Sequence, residues 1–143
     1  MNHISVEYVI VCDDARTEDN GKNILIGVFR DSVPVAGSGE SAVFPLSLYF
    51  GIAFSELSPF EVNMRLEGPK GDLVASSVME GTPPADSSLK GSFIWKMIPV
   101  HIPKFGEHRV YFKQGDVEEV VHTFEIKAGQ IASREDGQPL RLR

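Results

Sequence analysis

The feature that most constrains this chain is an alternation of apolar and polar residues with period two. It recurs along most of the length and is never replaced by the 3.6-residue period of a helix. Across residues 60–67, Phe60, Val62, Met64 and Leu66 alternate with Glu61, Asn63, Arg65 and Glu67. Successive strand side chains point to opposite faces, so this segment has one face in a core and one in water. Residues 46–54 repeat the pattern, with Leu46, Leu48, Phe50, Ile52 and Phe54 on one parity and Ser47, Tyr49, Gly51 and Ala53 on the other. Later, Leu89, Phe93, Trp95 and Met97 share a parity, Val110 and Phe112 alternate with Arg109, Tyr111 and Lys113, and Val120, His122, Phe124 and Ile126 line up together.

Turn formers punctuate these runs. Asn20-Gly21, residues 68–71, the proline-rich 81–88, residues 99–106 and 114–116 separate strands expected at 4–12, 24–29, 46–54, 60–67, 73–79, 89–98, 107–113 and 117–127. About eight strands at such spacing predict an all-β fold, an immunoglobulin-like antiparallel β-sandwich. The first two strands are apolar on both parities and are expected centrally or beneath a covering loop. Residues 34–41 read as a small flexible loop. Residues 1–127 read as a single domain and 128–143 as a polar, loosely held tail.

At 143 residues, 42% hydrophobic and 24% charged, the chain has the makeup of one ordinary globular domain. Its net charge of -6 opposes nucleic-acid binding, and the basic cluster Arg134, Arg141 and Arg143 falls in the expected tail. The lone Cys12 excludes an internal disulfide and reads as a buried small hydrophobe beside two aspartates that disfavour a thiolate. No apolar run approaches a membrane span, and the opening residues lack the basic, apolar and small-residue pattern of a secretory leader. A cytoplasmic protein with no membrane contact is expected.

The densest polar chemistry lies at residues 13–22, DDARTEDNGK, between the first two apolar runs. Its carboxylates suit a hard cation, but the D-x-D-x-D-G spacing of a calcium loop is missing and Arg16 and Lys22 intervene. The segment reads as a hairpin turn in which Asp13 or Asp14 accepts backbone N–H groups and Arg16 pairs with a neighbouring carboxylate. Asp13, Asp14, Arg16 and Glu18 are also its candidate partner-contact residues. Among His3, His101, His108 and His122 no pair has metal-ligand spacing, so no metal site and no cofactor are expected. The glycine-rich 37–41 fits neither a nucleophile elbow nor a phosphate loop, and no catalytic constellation emerges. Trp95 reads as core; Tyr49 and Tyr111 sit on the polar parity of their strands.

The string VCDDAR, a glutamate, GK and LIGVF, spanning Val11 to Phe29, resembles the opening hairpin of a family of small, uncharacterised bacterial and phage-associated proteins, a domain of unknown function. FEVNMRLEGPKGDLVASS and FGEHRVYFKQGDVEEVVHTFEI are similar to paired strands of that family and of immunoglobulin-like sandwiches. The resemblance covers most of residues 6–126 and implies the fold without implying an activity. The expected function is a non-enzymatic protein-interaction or assembly module, binding an unknown protein partner or itself. The alternative is a small-ligand or carbohydrate-binding sandwich, with or without Ca²⁺ assistance, with Tyr49, Trp95 and Tyr111 as contacts.

Overall fold

The computed structural model describes residues 2–36 and 41–129. The described chain is strand, turn and bend throughout, with no helix, and therefore none long and apolar enough to cross a membrane. Nine strands form: β1 (Ile4–Thr17), β2 (Asn23–Phe29), β3 (Ser32–Ala36), β4 (Ala42–Phe54), β5 (Phe60–Glu67), β6 (Leu73–Gly81), β7 (Lys90–Ile102), β8 (Gly106–Gln114) and β9 (Val117–Gly129). They make a four-stranded sheet, β2-β1-β4-β7, and a five-stranded sheet, β3-β9-β8-β5-β6. β4 beside β7 in one sheet, with β5, β8 and β9 consecutive in the other, is the immunoglobulin arrangement of B beside E and C-F-G. Every pairing is antiparallel except β3 with β9, which is parallel.

The core is built by the predicted parities. Leu46, Leu48, Phe50 and Ile52 of β4 and Trp95 and Met97 of β7 face Val62, Met64 and Leu66 of β5, Val110 and Phe112 of β8, and Phe124 and Ile126 of β9. The rings of Phe50 and Phe112 meet across the two sheets at 5.3 Å. Gln114 also ties the sheets, its Oε1 accepting from Ile4 N at 2.7 Å and its Nε2 donating to Ile4 O at 2.9 Å. β4 tolerates Pro45 and β7 tolerates Pro99 because the ladder shifts register where they face each other, and a missing N–H breaks no bond there.

Several expectations need correction. The ninth strand, β3, takes in Pro34–Ala36, read above as loop; residues 37–40 lie outside the described residues. Ala128 and Gly129, read above as tail, belong to β9 and pair with β3; residues 130–143 lie outside the described residues. β1 is central, as expected, but β2 is the edge of its sheet. Val120 faces out beside Tyr111 because Val121 bulges between it and His122, reversing the parity. Leu89 is an exposed loop residue at φ 60°, just before β7.

Candidate functional site

The N-terminal hairpin is longer and its turn shorter than the sequence implies. Asn20-Gly21 closes it, with Gly21 at φ 82°, its N–H donating to Glu18 O at 2.9 Å and Glu18 N donating to Lys22 O at 2.7 Å. The ladder with β2 runs on to Thr17 opposite Asn23, so Asp13, Asp14 and Arg16 lie on β1 and only Glu18 is in the turn. β4 pairs with β1 no further than Cys12, leaving residues 13–27 as a two-stranded ribbon.

This ribbon is tied to the outer face of its own sheet. Asn23 Nδ2 donates to Tyr49 Oη at 3.0 Å and approaches Ser92 Oγ at 3.4 Å. Tyr49 stacks with Tyr8 at 6.1 Å, and its hydroxyl, followed by partial burial, pushes the Tyr8 phenol up. The Tyr8 ring covers Gly51, where a Cβ would collide with it. Cys12 and Ala15 are fully buried yet stand outside the inter-sheet cluster. The Cys12 thiol points at Ser47 O at 3.6 Å, and burial, then Asp13 and Asp14, push it up, so the site favours a buried neutral thiol.

The two aspartates have different fates. Asp14 accepts from Ala15 N at 2.9 Å and Arg16 Nε at 3.1 Å, and lies 3.3 Å from Lys96 Nζ on β7. Arg16, Lys96 and the Ala15 amide hold its carboxyl below the usual range, the Arg16 bond contributing most. Of these contacts only Asp14–Lys96 ties the ribbon to another strand; Arg16 pairs with Asp14 along β1 and its side chain stays 66% exposed. Asp13 has no hydrogen-bonding or ion-pair partner among the described residues. Its carboxylate lies over Gly27, which has φ 67°, and burial pushes it up. It lines a cleft of about 310 Å³ with Phe29, Val33, Val35, Val43 and Phe44.

On the other strand of the ribbon, Ile24, Ile26 and Val28 share one face and are 41%, 44% and 55% exposed. They sit on the outermost strand, whose second edge pairs with no described strand. Sequence reasoning missed this stripe because an apolar run was taken as evidence of burial. Gly27 in mid-strand was the available signal that the segment is irregular.

The remaining candidates scatter. Trp95 is buried in the core, Tyr49 lies on the outer face of the four-stranded sheet, and Tyr111 lies on the outer face of the five-stranded one, so the three aromatics do not share a surface. Tyr111 is capped by Arg65, whose guanidinium carbon stands 4.4 Å from the ring centroid and whose nitrogens hold Glu118 through two 2.9 Å bonds. His108 and His122 both stack on Phe124, at 5.9 and 6.0 Å, while His101 is exposed on the opposite sheet. No group of three or more metal-ligating side chains gathers among the described residues. The chain matches no protein-family model and no curated protein.

Proposed function

We propose that this chain is a non-enzymatic protein-interaction module whose contact element is the β1–β2 ribbon. The supporting observation is the row of exposed Ile24, Ile26 and Val28 on an edge strand whose outer side pairs with no described strand. Three aligned β-branched side chains beside backbone groups that no described strand pairs suit β-strand addition, in which main-chain bonds give affinity and alternate side chains give specificity. Glu18 and Asp19, exposed at the tip, add a negative rim. Asp14 and Lys96 act within the module, holding the ribbon in place for its partner.

The test is an Ile26→Lys variant, which puts a charge in the stripe without touching the core. It should fold as wild type and lose the partner or self-association that wild type retains. Unchanged binding by the folded variant contradicts the reading.

A further inference from the structure

We propose that the cleft between β3 and the start of β4 receives a lysine side chain from a protein partner, its ammonium meeting the Asp13 carboxylate. This rests on the reading of the chain as an interaction module and assigns one chemical anchor to its partner. The cleft walls are Phe29 of β2, Val33 and Val35 of β3, and Val43 and Phe44 of β4. Asp13 is the charged residue lining it.

Neighbouring residues make the contrast. Asp14 takes Ala15 N, Arg16 and Lys96, while Asp13, one residue earlier on the same strand, takes no donor from any described residue. The position is nevertheless built for a side chain of this kind. A Cβ at residue 27 would run into the Asp13 carboxylate, and glycine at φ 67° leaves the carboxylate its place. An ionised carboxylate half removed from water without a donor is unfavourable, which agrees with the upward push on its proton affinity. A cation supplied from outside removes that deficit.

The shape of the deficit selects the cation. The walls are apolar and call for an apolar stem, which the methylene chain of lysine supplies. A guanidinium brings five N–H donors in a rigid fork, and one carboxylate among hydrocarbon walls leaves several unmet. An ammonium is a compact charge that one carboxylate and edge water can satisfy. A neutral apolar side chain would fill the cleft but leave Asp13 unpaired.

The experiment is an NMR titration of the full chain with Nα-acetyl-lysine methylamide, against the Nα-acetyl-norleucine methylamide analogue that lacks the ammonium. The lysine compound should give saturable shifts at the Gly27, Val35 and Val43 amides, bind about tenfold or more tightly than norleucine, and lower the titration midpoint of the Asp13 carboxyl. Asp13→Asn should erase the preference. A second variant, Val43→Lys, starts from a wall residue that is 63% exposed and brings an ammonium from within. It should lower the Asp13 midpoint and block the lysine compound. Equal binding of the two compounds, no saturable shift, or an unmoved Asp13 midpoint overturns the proposal. These outcomes are separable from the Ile26→Lys result. Loss of partner in that variant with no lysine preference keeps the module and rejects the anchor. A lysine preference with unchanged partner binding in Ile26→Lys rejects the ribbon stripe as the contact.

Discussion

Asn23, at the far end of the ribbon, donates to the hydroxyl of Tyr49 at 3.0 Å, fastening the tip of an edge hairpin to the outer face of its own sheet. The bond is partly exposed, so its net contribution is about 1 kcal/mol. Its larger effect is local, because the ribbon beyond Cys12 has no β4 partner. Tyr49→Phe should therefore lower global stability by about 0.5–1.5 kcal/mol while raising amide exchange selectively across residues 23–27. Hydrogen exchange read residue by residue distinguishes this from uniform loosening.

Gly27 is predicted to be the least replaceable position in the ribbon. Gly27→Ala adds a Cβ on top of the Asp13 carboxylate and forces alanine to a positive φ, two costs that together reach about 2 kcal/mol or more. Pairing it with Asp13→Ala removes the collision and leaves the backbone cost. The double variant should recover part of the lost stability, as read from denaturant midpoints.

Acid should act in two stages. Burial pushes the imidazoles of both His108 and His122 below the ordinary value. His108 Nδ1 lies 2.9 Å from Gly106 O, a pure acceptor, so Nδ1 carries the proton, and buried Nε2 has no partner among the described residues. Asp72 in the β5–β6 turn pulls the other way more weakly. The unfolded chain binds protons that the folded chain resists, so this stability is complete above about pH 6.5 and falls as the pH drops below it. Asp14 and Glu118 are displaced downward, chiefly by Arg16 and Arg65 respectively. Their contribution is present above about pH 4 and is lost only below that. Thermal melts should decline first as the pH falls below about 6.5 and again below about pH 4, and His108→Leu should flatten the first decline.

Arg65 combines a stack on Tyr111 with ion pairs to Glu67 and Glu118. The group is one-third exposed, so Arg65→Ala should cost only about 1 kcal/mol after solvent screening. Arg65→Lys should recover little of it, since lysine offers neither the fork nor the flat face. Urea melts of the two variants check the ranking.

The sheets were legible in the sequence because each core strand carries its face in its parity. Phe60, Val62, Met64 and Leu66 needed only the period to be placed. β3 was not legible: SVPVA is short, contains proline, and forms only because β9 offers a parallel partner. Val120 defeated the parity rule through a bulge that no local pattern announces. In the ribbon, the Asn20-Gly21 turn and the Arg16–carboxylate pair followed from local chemistry. Lys96 did not, because its contact with Asp14 depends on which strands lie side by side. The exposure of Ile24, Ile26 and Val28 was hidden for the same reason, since an edge strand and a central one can share an apolar composition.

The most direct test of the ribbon as a contact element compares wild type with Ile26→Lys by affinity capture from a lysate of the source organism and by sedimentation at rising concentration. The variant's fold is confirmed first by its melting curve. Wild type should retain a stoichiometric protein partner, or grow in mass with concentration, and the folded variant should lose that behaviour. Identical partners and identical masses for the two proteins would contradict the account.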